Sequence, residues 1–159
     1  MKKLIILITI MLLAVAPAIA EAPNPDYLYS TDTISFSVVN TYLHQAPDND
    51  FIIIEFLWRN QTSEPISFNM NLLVTGYQNG KELSRINYEP DYDTDLMSVE
   101  TLDRIMPGYE NTNYEFIPLK DNSEVTIVID QAFEVGDSFE DITYTVMPSD
   151  LSEFKWPEE

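Results

Sequence analysis

Three aspartates stand at alternate positions in "DYDTD": Asp91, Asp93 and Asp95. Carboxylates at that spacing open loops that wrap calcium, an ion satisfied by flexible cages of oxygen ligands. With Asp91 as position 1 of an EF-hand loop, Asp93 and Asp95 fall at positions 3 and 5. Position 6 requires glycine for its sharp bend, but Leu96 stands there. Position 12 requires a bidentate glutamate, but it is Leu102. The metal reading that remains is an irregular cage of Glu89, Asp91, Asp93, Asp95 and Glu100. The ion itself would have to order such a loop, which weakens affinity. The expectation is therefore a charged loop held open by repulsion, with no tightly held metal and no cofactor.

Other chemistry has less material. His44 is the one histidine and cysteine is absent, so zinc cannot fill its usual three or four places. Any Ser-His-Asp arrangement must use His44, in "NTYLHQAPDND", a stretch that reads as a connection between strands. No Gly-x-Ser-x-Gly elbow presents a serine to it. Glu55 is the one acid inside a strongly apolar run, and a carboxylate pair for sugar hydrolysis would need such a residue. An ion pair with Arg59, Arg104 or Arg85 is the simpler role. With 4 glycines in the chain, no phosphate-cradling loop is present. The sequon Asn60-Gln61-Thr62 reads as turn chemistry. Tyr77, Tyr88, Tyr92 and Tyr109 lie near acids and could stack on sugars or a peptide, although half-exposed strands favour tyrosine anyway.

The elements that must position these residues are strands. "TISFSVV" sets Ile34, Phe36 and Val38 on one face, and "SFNMNLLVT" sets Phe68, Met70, Leu72 and Val74 on one face. "EVTIVID" does the same with Val125, Ile127 and Ile129, and "ITYTVM" with Ile142, Tyr144 and Val146. "FIIIEFLWR" is apolar on both faces, with only Glu55 and Arg59 interrupting the second, so it belongs in mid-sheet. Asn79-Gly80 predicts a type I′ hairpin and Pro107-Gly108 a type II turn. Seven strands are predicted: 33–39, 51–59, 66–77, 81–87, 101–106 with 111–118, 124–130 and 141–147. They read as an all-β, immunoglobulin-like antiparallel β-sandwich. Residues 95–103 could instead make a helical turn or two. Trp58, Phe56, Ile54, Phe68, Leu72, Ile127 and Tyr144 are expected in one core.

The ends differ in kind. Lys2 and Lys3, the apolar run 4–15 and Ala18-Ile19-Ala20 read as a signal peptide over 1–20, its apolar run shorter than a spanning helix needs, with a retained N-terminal anchor as the second reading. Residues 21–29 read as a flexible lead, 30–147 as the sandwich and 148–159 as a loosely held acidic tail. Without Lys2 and Lys3 the 8 basic residues become 6, so the 27 acids leave a net charge of −21. Such a surface repels nucleic acid and anionic lipid and favours cationic partners. Export without disulfides suits a bacterial setting, either secreted or on the cell surface.

The stretches "FIIIEFLWRNQTSEPISF", "GYQNGKEL" and "IMPGYENTNYEFIPLKDNSEVTIVI" carry a resemblance covering roughly residues 30–147. They resemble domain-of-unknown-function family 5067, small exported domains of Gram-positive bacteria. The resemblance implies an immunoglobulin-like sandwich and export, often with a lipid anchor. The anchor's cysteine is missing here, and no catalytic residue is carried over. The function expected is non-catalytic binding of a surface or secreted protein. Carbohydrate binding, with or without calcium, comes second and a small carboxylate-dependent hydrolase third. An aromatic platform on an exposed sheet face would favour the second.

Overall fold

Apolar side chains on both faces require "FIIIEFLWR" to sit between neighbouring strands, and it does. A computed structural model describes residues 27–47, 49–83, 104–132 and 139–155. Its strands are β1 (Tyr29–Ser30), β2 (Ile34–Gln45), β3 (Asp50–Asn60), β4 (Ile66–Ser67), β5 (Leu72–Gln78) and β6 (Lys81–Glu82). They continue with β7 (Arg104–Ile105), β8 (Glu110–Pro118), β9 (Val125–Gln131), β10 (Ile142–Val146) and β11 (Ser152–Glu153). The first sheet runs β1-β2-β3-β8, with β11 also paired to β2, and the second runs β10-β9-β5-β6. All pairs in both sheets are antiparallel except β11 with β2. Two early strands share a sheet with β8, while β5 and β9 pair in the other. That is the strand order of an immunoglobulin-type sandwich.

Between the sheets lies one core. Ile54, Phe56, Trp58, Phe68, Leu72 and Ile127 are all buried in it, as expected, and Tyr144 packs half-buried against it. Phe68 meets Phe56 at 5.0 Å and Trp58 edge-on at 5.7 Å, distances at which aromatic pairs add to the gain from burial. Gly76 on β5 lets β8 approach closely, since a Cβ there would lie 2.5 Å from Ile117 Cγ2.

Several elements depart from the sequence reading. Strand 66–77 is broken by a 3-10 turn over Phe68–Met70, which leaves Met70 52% exposed. Local bonding explains the break. Asn71 gives its side-chain N–H to the Ser67 carbonyl at 2.8 Å and its backbone N–H to Phe68, and such residues compete with the ladder. Strand 33–39 runs on to Gln45, past an irregularity between Val38 and Asn40. The extra residue resets the alternation, so Leu43 faces inward where unbroken counting from Phe36 would turn it outward. Of the predicted strand 81–87 the described part holds Lys81–Glu82, and of that at 101–106 it holds Arg104–Ile105, paired with β4; residues 84–87 and 101–103 lie outside the described residues. The helical turn proposed for 95–103 lies outside the described residues.

Two buried amides fasten the turns. Asn60, 0% exposed, donates to the carbonyls of Glu64 and Ile105 at 2.8 and 2.9 Å. Its Oδ1 accepts the N–H and hydroxyl of Thr62, both at 2.8 Å. The sequon is therefore structural, with its amide fully used. Gln78, 1% exposed, donates to the carbonyls of Asp121 and Ser123 and accepts the N–H of Lys120. It ties the Asn79-Gly80 hairpin, with φ of 52° and 70°, to the 119–124 turn. Asp121 accepts N–H from Ser123 at 2.8 Å, and bonds from Ser123 hold its carboxyl below the ordinary 3.8.

Removing a saturated buried amide orphans its partners, so Asn60→Ala should cost about 2–4 kcal/mol. Urea unfolding with an unchanged m-value measures this, and a loss under about 0.5 kcal/mol would contradict the bonding described.

Candidate functional site on the outer face of the first sheet

Alternate residues of β3 point away from the inter-sheet core: Phe51, Ile53, Glu55, Leu57 and Arg59. Register places His44 beside Phe51 and Tyr42 beside Ile53 on the β2 side. On the β8 side it places Phe116 beside Ile53 and Tyr114 beside Glu55. Segments far apart in sequence thus build one aromatic face. Ile53 is 0% exposed yet lies outside the inter-sheet cluster, so this face has a dry centre of its own.

The C-terminal segment caps it. Beyond a 3-10 turn at Pro148–Asp150, β11 pairs in parallel with β2, Ser152 opposite Tyr42 and Glu153 opposite Leu43. The Phe154 N–H donates to the Leu43 carbonyl at 2.8 Å. Its ring meets Tyr42 at 5.3 Å, Tyr114 at 5.5 Å and His44 at 6.4 Å, each edge-on. Tyr42 and Tyr114 sit on the strands flanking β3, so a ring between them stands above β3. Phe154 is 7% exposed. The described part of the tail expected to be loose is held here, because an apolar ring directly after a short strand finds an apolar seat.

Polar groups frame the seat. The Tyr42 hydroxyl donates to Glu55 Oε2 at 3.0 Å. Desolvation, with this bond next, raises the Tyr42 phenol above its ordinary 10.0. Of the roles expected for Glu55, the bond described is the one from this phenol. At the far end of the face, Arg59 stands opposite Glu110 in register. The chain's lead crosses there, with the Leu28 N–H donating to Ser37 Oγ at 2.9 Å. Burial pushes the Tyr27 phenol up to about 12, with Glu110 adding to the effect and Arg59 opposing it.

The other sequence candidates fall elsewhere. His44 lies within β2 rather than in a connection, because the strand continues past its irregularity. Its described neighbours on this face are aromatic. Tyr77 is on the second sheet opposite Thr126, and Tyr109, 68% exposed, follows the Pro107-Gly108 turn. Those two tyrosines share no platform. Asp91, Asp93, Asp95, Glu89, Glu100, Arg85, Tyr88 and Tyr92 lie outside the described residues. Arg104 is exposed on β7, opposite Ser67. Among the described residues, no three carboxylate or imidazole groups gather as a metal requires, and no helix is long and apolar enough to cross a membrane.

Sequence reasoning missed Tyr42, Tyr114 and Phe154. In "NYEF" the polar and aromatic residues alternate, and the natural guess turns aromatics inward. The fold does the reverse. Asn113 and Glu115 are buried, 0% and 4% exposed, and joined by a 3.3 Å bond, while Tyr114 and Phe116 face out.

No family model matches the chain, and no curated relative does. Among solved structures, the fold is similar to that of a protein from Staphylococcus aureus assigned as a lipoprotein. The TM-score is 0.56 at 9% identity, covering 79% of this chain and 92% of that one. A second protein assigned as a lipoprotein, from Bacillus subtilis, gives 0.49 at 12% identity, with 76% of this chain and 38% of that one covered.

A raised phenol favours the folded state while it stays neutral. The Tyr27 contribution is complete below pH 10.0 and is lost as pH rises towards about 12. In an absorbance titration of the phenolates, Tyr27→Phe should remove an increment near pH 12. Loss of an increment centred at 10.0 would refute the burial.

Proposed function

We propose that the protein is an exported, non-catalytic domain that binds another exported or surface protein through the outer face of its first sheet. The observation that carries this is the seat of Phe154. An extended segment is held there by main-chain pairing to a sheet edge plus one aromatic anchor, the same physics by which sheets recruit peptides. Sugar binding is disfavoured at this face. Sugars stack on the flat sides of exposed rings, whereas here Tyr42 and Tyr114 enclose a third ring and Tyr42 spends its hydroxyl on Glu55. The basic, apolar and small-residue pattern of residues 1–20 supports export. So does the fold's likeness to the Staphylococcus aureus protein and the resemblance to domain-of-unknown-function family 5067.

Screening the protein against a glycan panel and a library of extended dodecapeptides separates the readings. Peptides should be enriched, and Tyr114→Ala should weaken the selected ones about tenfold, as expected for loss of a central aromatic contact. Saturable glycan binding abolished by Tyr114→Ala, or no peptide enrichment, would refute the proposal.

A further inference from the structure

Main-chain pairing is strong in proportion to the number of rungs, and the C-terminal segment has few among its described residues, 148–155. β11 is two residues long, Ser152 and Glu153 are both exposed, and the pairing is parallel, the weaker kind per residue. By contrast, β2 and β3 pair from Ile34 opposite Asn60 to Gln45 opposite Asp50. Units with few bonds and little buried area open locally at far lower cost than the fold as a whole. The segment follows β10, whose last residue Val146 packs half-buried against the core, through the Pro148–Asp150 turn with Pro148 buried; its grip on the outer face is Phe154, with half-buried Leu151 behind it.

Opening leaves a particular surface. The β2 edge at Tyr42 and Leu43 regains free main-chain groups, and Tyr42, His44 and Tyr114 lose the ring they enclose. An unpaired edge beside an apolar seat is a template for another strand. The occupant now in place shows what fits: an extended stretch whose aromatic ring drops over β3. The next residue, Lys155, is exposed. The chain as a whole carries −19, so an incoming basic segment is steered towards it.

Resting on the reading above, we propose that the C-terminal segment is an exchangeable occupant of a strand-docking groove on the β2 edge. The natural ligand is an extended segment of a partner protein carrying an aromatic residue followed by a basic one, and it binds where β11 and Phe154 now lie.

The test uses the full chain and a fluorescein-labelled dodecapeptide of residues 148–159, PSDLSEFKWPEE. Anisotropy should show Phe154→Ala binding the peptide at least about tenfold more tightly than wild type, because the resident competitor is weakened. A peptide with alanine in place of its phenylalanine should not bind. One with lysines in place of its glutamates should bind more tightly, in a salt-sensitive manner. Should Phe154→Ala fail to fold, Phe154→Leu keeps an apolar anchor, loses the edge-on ring contacts and carries the same comparison. Equal binding to folded variant and wild type overturns the inference. A concentration-dependent dimer of the wild type, lost in the variant and without peptide binding, also overturns it in favour of strand exchange between copies. If library peptides still bind through Tyr114 while Phe154→Ala changes nothing, only the exchange falls. If Tyr114→Ala leaves every peptide bound, the docking reading falls with it.

Discussion

A strand that is apolar on both faces sets two demands, and a two-sheet sandwich meets only one of them. The inner face of β3 (Ile52, Ile54, Phe56 and Trp58) is buried against the second sheet. Its outer face carries Ile53, and an exposed apolar strip on a central strand costs roughly 25 cal/mol for every Å² left in water. Something other than the second sheet must cover it. Tyr42 on one flank, Phe116 and Tyr114 on the other, and Phe154 from the chain's end supply the cover. The candidate site is therefore a consequence of the composition of one strand, not an addition to the fold.

What surrounds this face is held firmly. Asn60 and Gln78 each bind turns from distant parts of the chain with every amide group engaged, so the strands cannot slide without orphaning buried donors. Gly76 lets Ile117 pack against β5 at a distance no side chain would tolerate. The resulting scaffold is firm beneath a cover whose described main-chain pairing is two residues long and whose anchor is the ring of Phe154. Stiff support with a weakly held cover is the arrangement that lets a surface recruit a peptide without disturbing the core.

Much of the fold was legible because it rests on local signals. The two-faced apolar run of β3 announced a central strand, and Asn79-Gly80 and Pro107-Gly108 announced turns whose positive φ values are observed. The inward rows Val125, Ile127 and Ile129 followed from alternation alone. The site was not legible, for three physical reasons. The strand reads as ending at 39, but it continues past one extra residue between Val38 and Asn40 that inverts the face of everything after it, and this hid Tyr42 and His44. Alternation in β8 gives the period but not the sign, so Asn113 and Glu115 go inward. Phe154 sits in a polar, acidic tail, and only the three-dimensional placement of Tyr42 and Tyr114 gives its ring a reason to be buried. The breaking of strand 66–77 had a visible cue in Asn69 and Asn71, residues that compete with the backbone ladder.

Acidity acts on this arrangement at a distance. The surplus of negative charge does not shape the sandwich, but it biases what approaches the outer face. The account's central claim is that the cover of β3 is an energetically separate unit on a cooperative sandwich. Native-state hydrogen exchange under increasing mild denaturant tests it most directly. The Phe154 amide, bonded to the Leu43 carbonyl, should exchange through a local opening that is much faster than that of the β3 amides and insensitive to denaturant. Exchange of that amide at the β3 rate, with the same denaturant dependence, would contradict the account.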